Sequence, residues 1–552
     1  MQENNSRAPL LRTIAAYAIL AGALVLFALQ LRTLYTVPVY DSVRWGGDET
    51  WLMREFGEQA SHGVMSYPES FGGAQRTDGV LAGSMWVDAL IYGASGNLFY
   101  PAHDYVCVGR TVTALLALLL IASIYFILRK LRVSPLLAAA SVLLMVASQG
   151  FVWATHSARY DLLTGLTLIW FSYYLSQQEN LTPVRMFFAG IIGAAAICFS
   201  RHLLLLGLAA SFVFLYQHRV WKRQAFAWAW VAGSSVGAVI LSVVYFTGAG
   251  EFSLFGRGGT EGSYSFVLNQ IPILRPFSRN VQLSNLIERF HLFQADAPGI
   301  LIVIGVSIIL AIAMRLSIGR SGRVGHLGRG SMHAQRFFLL CMILCILVWL
   351  LAEGSRPYYL FHIVPLLAIG GAIILQSWSK FQKRWCGEAS AVLVLAIGVA
   401  FGAAHVIPTN VLGAMIARDQ STTLAKFLNE TPRKSRILLD VAGLDRALPD
   451  TSREVLTLDM FQPLPEAGAL IRKLLSNKID YVILRSSPVS SPFEPGRALL
   501  PRVLDSIGEV RDSALGFFYD DGRNYDASLG ELNRQGLDTL RLYRVHPAGV
   551  AP

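Results

Sequence analysis

Charge is scarce in this chain. Of 552 residues only 15% are Asp, Glu, Lys or Arg, 53% are hydrophobic, and the mean hydropathy is +0.46. That balance excludes an ordinary soluble globule, in which about a quarter of the residues are charged. The acidic sign is the scarcer one, 36 residues against 47 basic, and the net charge is +11. There are only five cysteines, Cys107, Cys198, Cys341, Cys345 and Cys386, without metal-ligand spacing and with none C-terminal of Cys386. A disulfide-stapled C-terminal domain is therefore excluded. Two phosphate-binding signatures are also missing. The Gly-rich stretch "GAGEFSLFGRGGTEGSYS" has no following GK[ST], and the region after Arg418 has no G-x-G-x-x-G.

What the chain has instead is long apolar runs. Windows of roughly 17 to 25 apolar residues suit a hydrocarbon core about 30 Å thick. About eleven recur, over 13–34, 106–128, 136–154, 161–176, 184–200, 203–217, 226–247, 299–318, 336–353, 358–377 and 388–407. The first has no small-residue cleavage site and is long enough to cross, so it reads as a retained anchor and not as a removed signal peptide.

The loops set the orientation. With the N-terminus inside, the inner loops hold "RKLR" (129–132), "HRVWKR" (218–223), "RLSIGRSGRVGHLGRGSMHAQR" (315–336) and "KFQKR" (380–384), whereas the short outer loops carry one arginine each. This is the positive-inside pattern. It accounts for much of the net charge, so no nucleic-acid partner is required. Eleven crossings place the C-terminus outside and leave three large outer pieces, 35–105, 248–298 and 408–552.

The expected architecture is thus an α-helical polytopic membrane domain over 1–407 and a soluble α/β domain over 408–552. In the first outer loop, "DETWLMREFGEQASHG" and "LAGSMWVDALIYGASG" (81–96) have the spacing of interfacial helices. In the C-terminal region, "RILLDV" (436–441), "EVLTLD" (454–459), "YVILRS" (481–486) and "LRLYRV" (540–545) read as strands, and "PEAGALIRKLLSNKI" (465–479) as a helix.

The candidate chemistry collects on the outer face. Arg159 in "THSARYDLL", Arg201 in "FSRHLL" and Arg356 in "EGSRPYYLFH" sit at helix ends, with Arg110 at the outer start of the second span. Any one of them is equally well an interfacial anchor. Together, guanidinium forks at headgroup depth point to a bound phosphate. On the same face "RWGGDETWLMREF" carries Asp48 and Glu49. Asp48 fits a helix cap, as does Asp161. It also fits a general base facing a cationic phosphate site. Nucleotide sugars are not expected outside a cytoplasmic membrane, so a transferase there needs a lipid-borne donor.

In order and topology these motifs resemble the GT-C superfamily of membrane glycosyltransferases, near the protein O-mannosyltransferase and lipid A aminoarabinose transferase branch. "GGDETW" is similar to the family's outer acidic motif, "SARYDLLTGL" to its Arg-x-Asp segment, and "RPYYLFHIVPLLAIGGAIIL" to its late tyrosine- and proline-bearing helix. The likeness covers roughly residues 10 to 380. It implies that Asp48 is the catalytic base with Glu49 beside it, that Arg159 and Asp161 shape the site, and that Tyr358, Tyr359 and His362 lie near the donor. Two segments depart from the family pattern. "GGAQRTDGV" (72–80) replaces a His-Pro-Pro or Lys-Pro-Pro segment, with Arg76 as its basic residue. "FSRHLL" replaces a Thr-Lys-Gly segment, with Arg201 or His202 in place of the lysine.

The expected function is inverting transfer of a sugar from a polyprenyl-phosphate donor to a lipid, polysaccharide or protein hydroxyl. The expected location is a bacterial inner membrane with the C-terminal domain in the periplasm. The sequence assigns no cofactor, and a divalent ion bridging carboxylate and phosphate is compatible with the site. The alternatives are a lipid-linked sugar transporter or flippase, which needs ionisable groups near the bilayer midplane, and a noncatalytic membrane scaffold acting through 408–552.

Overall fold

The computed structural model describes residues 3–36, 105–156, 161–178, 181–199, 201–248, 297–321, 329–350, 357–382, 387–404, 434–439, 454–457, 474–485, 508–517 and 538–545, with a few single positions between them. The helices are α1 (Glu3–Thr36), α2 (Tyr105–Lys130), α3 (Pro135–Val146), α4 (Gln149–His156), α5 (Asp161–Ser176), α6 (Pro183–Phe199), α7 (Arg201–Gln217), α8 (Gln224–Gly248), α9 (Pro298–Ser321), α10 (Arg329–Val348), α11 (Val364–Phe381) and α12 (387–404). Every apolar window expected to span falls on one or two of these helices. Among the described residues, four helices are long and apolar enough to cross by themselves, within α1, α2, α11 and α12. The interfacial helices expected in the first outer loop, and most of 248–298, lie outside the described residues.

Two windows differ from expectation: 358–377 opens on a 3-10 turn, Pro357–His362, before its helix α11, and 136–154 is split. The run 136–154 forms two helices, α3 and α4, and Ser148 makes the break. Its Oγ donates to Met145 O at 2.7 Å and accepts from Phe151 N at 3.3 Å, serving the end of one helix and the start of the next. Backbone groups freed inside a membrane must find partners within the protein, and here a short side chain supplies them.

Buried amides tie the bundle together by the same logic. Gln30 of α1 donates to Val146 O at the end of α3, at 3.0 Å. At the other end of α3, Arg132 adopts a left-handed backbone (φ 61°) to reverse the chain. Two helices hold that turn. Gln335 of α10 donates to Leu131 O at 2.7 Å, and Gln376 of α11 accepts from Ser134 N at 2.6 Å. Ser134 then caps α3 through Leu137 N, with Pro135 in the first turn, where a missing N–H does no harm. These bonds join the basic "RKLR" turn to the start of α10 and the end of α11. His218 meets His333 and Arg12 pairs with Glu388 at 3.1 Å, which adds the α7–α8 turn and the starts of α1 and α12 to the same end. The basic loops therefore gather at one end of the bundle.

Glycine sets the closest helix contact. α6 and α8 pack so tightly that a Cβ on Gly233 would sit 1.9 Å from Phe187 O, and one on Gly190 would sit 2.5 Å from Trp230 O. Ser234 Oγ reaches Gly190 O at 3.3 Å across the interface. This is the small-residue packing that replaces hydrophobic association between helices in lipid. Gly233→Leu must push the helices apart, so a loss of about 1–3 kcal/mol is expected. Thermal unfolding in detergent measures it, and an unchanged midpoint would contradict the contact.

The C-terminal strands are β1 (Arg436–Leu439), β2 (Glu454–Thr457), β3 (Tyr481–Arg485), β4 (Gly508–Phe517) and β5 (Asp538–Val545), ordered β2-β1-β3-β5-β4 in one sheet. β1 runs parallel to β2 and β3, and β5 is antiparallel to β3 and β4. Neighbouring residues of a strand face opposite sides, yet Ile437 and Leu438 are both fully buried, so β1 is covered on both faces. The four strands read from the sequence are present, and β4 is an addition. Of the helix expected over 465–479, residues 474–479 are described; 474–476 are helical and 477–478 form the turn that ends it, so the helix stops short of 479.

Candidate functional site

Asp161 stands in the first turn of α5, where a carboxylate is favoured by the exposed N–H groups of the helix start. Gly165 follows one turn later on the same helix face. Against that face lies a 3-10 turn, Pro357–His362, which leads into α11. Gly165 leaves the room it needs, since a Cβ there would lie 3.2 Å from the ring of Phe361. Phe361 is fully buried and also meets Phe151 of α4, with ring centroids 6.2 Å apart. The entry into α11 is then set by Pro365, which sits in the first turn, where its missing N–H is tolerated.

With Phe361 seated between α4 and α5, the next residue reaches Asp161. His362 Nε2 lies 2.8 Å from Asp161 Oδ1, and the two side chains are 0% and 2% exposed. Among the described residues these are the acidic and basic side chains that the fold buries completely, and they form a single pair. With Asp161 ionised its carboxylate only accepts hydrogen bonds, so Nε2 carries the proton in that state and the contact fixes the imidazole orientation. The pair fastens the Pro357–His362 turn to the head of α5.

The pair lies at the end of the bundle opposite the basic loops. α5 and α7 both run antiparallel to α6 and pack against each other, so Asp161 and Arg201 begin helices at the same end. Arg110 lies near the start of α2, whose far end carries Arg129 and Lys130, which puts it at that end too. Tyr358 and Tyr359 belong to the same 3-10 turn as His362. Arg110, Arg201, His202, Tyr358 and Tyr359 are described at the backbone only. Asp48, Glu49, Arg159 and Arg356 lie outside the described residues.

Of the residues nominated from the sequence, the structure brings Asp161 and His362 into contact. It adds Gly165, Phe361 and Phe151, which the sequence reading had passed over. The available signal was the glycine four residues after Asp161, a gap on the acidic face of a helix otherwise rich in large side chains.

No family model and no curated protein matches the chain. Solved structures do. The chain is similar to ArnT from Cupriavidus metallidurans bound to undecaprenyl phosphate, with 14% identity and a TM-score of 0.51, over 96% of this chain and 99% of that one. The apo state of the same protein matches with 13% identity and a TM-score of 0.52, over the same shares. The likeness spans almost the whole of both chains and shows that they share a fold.

Proposed function

We propose that this chain is a membrane glycosyltransferase that takes its sugar from a polyprenyl-phosphate donor. The observation that supports it most is the full-length fold likeness to a protein whose structure is described with undecaprenyl phosphate bound. The residue pattern adds to it. The acidic motif "GGDETW", the arginines at the helix ends and the buried Asp161–His362 pair belong to one face of the bundle in this reading.

In the proposed step Asp48 takes the proton from the acceptor hydroxyl as its oxygen attacks the anomeric carbon, with Glu49 beside it. The bond between that carbon and the phosphate oxygen breaks, and the configuration inverts. The electron pair leaves on the polyprenyl phosphate. Arg110, Arg159, Arg201 and Arg356 hold the phosphate as its charge grows, which is where fixed cations lower a barrier most. His202, Tyr358 and Tyr359 line the donor, and the Asp161–His362 pair positions the turn that carries the tyrosines. The acceptor is a lipid, a polysaccharide or a protein. The reading places the chain in a bacterial inner membrane with residues 408–552 in the periplasm.

Purified protein in nanodiscs, given polyprenyl-phosphate sugars and membranes containing native acceptors, is expected to consume the donor and release polyprenyl phosphate. Movement of a labelled donor between leaflets without release would replace this reading with a flippase. Neither transfer nor movement in the presence of native acceptors would leave the scaffold.

A further inference from the structure

At the basic end of the bundle, Leu181 before α6 and the α7–α8 turn border a half-open cavity of about 410 Å³, lined by Leu181, Gln217, His218, Arg219, Lys222 and Arg223. It is remote from the Asp161–His362 pair. The length of α5 alone separates the two by about 24 Å at 1.5 Å per residue.

The turn that builds the cavity is tight. Arg219 adopts a left-handed backbone (φ 50°) and caps a short 3-10 turn, Val220–Lys222, in which Lys222 N donates to Arg219 O at 2.9 Å. Val220 is buried as the anchor of this turn, and three cationic side chains border the space around it. Among the described residues no lining side chain is acidic. The Gln217 amide, buried at both its oxygen and its nitrogen, has no hydrogen-bond partner among the described residues. His218 completes the wall, and its Nε2 lies 3.3 Å from His333 Nε2 of α10. Burial first, then His333 and Arg223, lower the His218 pKa to about 4, so the ring is neutral near pH 7 and one nitrogen of the pair accepts from the other. Such a cavity offers fixed positive charge and spare N–H donors, with no acidic side chain lining it among the described residues.

Beside it the surface is aromatic and faces outward. Tyr216 and Trp221 are 50% and 55% exposed with ring centroids 5.7 Å apart, and Phe212 stacks on Tyr216 at 6.3 Å. Exposed Tyr and Trp at a helix end mark headgroup depth. The cavity volume falls within the range of small-molecule sites, about 300–1,000 Å³, and leaves room for more than a bare phosphate ion.

We propose that this cavity is a binding site for the phosphate headgroup of an anionic phospholipid in the leaflet at the basic end. Arg219, Lys222 and Arg223 hold the phosphate oxygens and the Gln217 amide donates to the headgroup. The Tyr216–Trp221 pair packs along the start of the acyl chains. The site is independent of the proposed transferase chemistry, and its test does not use that activity.

The test is native mass spectrometry of the full-length protein released from vesicles of phosphatidylglycerol and phosphatidylcholine in equal parts. A second arm adds inorganic phosphate alone to delipidated protein and follows the thermal midpoint. Wild type is expected to retain phosphatidylglycerol over phosphatidylcholine. Arg219→Ala/Lys222→Ala/Arg223→Ala is expected to lower that retention roughly a hundredfold, since each basic side chain near an anionic surface contributes about fivefold. Arg219→Lys/Arg223→Lys keeps the charge and is expected to keep most of the retention, which separates loss of binding from loss of fold. Equal retention of both lipids, or unchanged retention in the triple variant, overturns the proposal. So does stabilisation by inorganic phosphate without lipid preference, which would assign the cavity to a soluble anion.

Discussion

Asp48→Asn is expected to lower donor consumption by about 10²–10⁴-fold, the usual contribution of a positioned general base, while leaving the thermal midpoint where it was. The amide has nearly the shape of the carboxylate and can still cap a helix, but it cannot take a proton from an acceptor hydroxyl. That separates the two readings of this residue. A pure cap would show a small change in stability, of order 1 kcal/mol or less, with turnover preserved. Glu49→Gln is the companion measurement, because the two carboxylates are adjacent in "GGDETW". Loss at Glu49 with full turnover at Asp48 would move the base by one position and keep the reaction. Full turnover in both variants would remove the acidic motif from the mechanism altogether.

The second large effect is expected at Asp161. Its carboxylate and His362 are both fully buried and 2.8 Å apart, so removing one partner strands the other in a medium that cannot solvate it. Asp161→Ala is expected to destabilise the membrane domain by about 3–5 kcal/mol if the imidazole is protonated. With a neutral ring donating to the carboxylate, the loss is about 1.5–3 kcal/mol. The measured size therefore reports the charge state of the pair. Replacing both residues, Asp161→Ala with His362→Ala, closes a double-mutant cycle. A coupling near zero would show that the contact contributes nothing beyond its two halves. Because the pair anchors the Pro357–His362 turn, Asp161→Asn is also expected to raise the KM for the polyprenyl donor more than it lowers kcat. Loss of the proposed base would do the reverse.

Much of this was legible from the sequence, and the reason differs from region to region. Transfer of apolar side chains into lipid is a local free energy that adds along a window, and every backbone group inside the membrane must be paired within its own segment. A linear scan therefore finds helices, as it did for each of the apolar windows. It did not find the break at Ser148, because no proline marks it and the break depends on two hydrogen bonds from one hydroxyl. Strand β4 was missed for a related reason. "GEVRDSALGF" has no run of β-branched or aromatic residues, and it becomes a strand by pairing with β5, where Arg511 faces Leu542 and Asp512 faces Arg541.

At the candidate site the sequence nominated Asp161 and His362 separately, on a motif and on a resemblance. They are 201 residues apart, and their contact needed Gly165 to admit Phe361 first. "HRVWKR" was legible only as an inner loop. That its arginines and lysine border a cavity with Leu181 depends on the ends of α5 and α7 meeting the start of α6.

The sequence by itself thus determined that this is a membrane protein, where its apolar helices run and which loops are basic. Those properties are sums over neighbouring residues, complete before the chain folds. Tertiary structure alone decided which helix ends meet, that Asp161 and His362 form one buried pair, and that the basic turn forms a pocket. Those properties belong to residues brought within a few ångströms by close packing, and no local sum along the chain contains them.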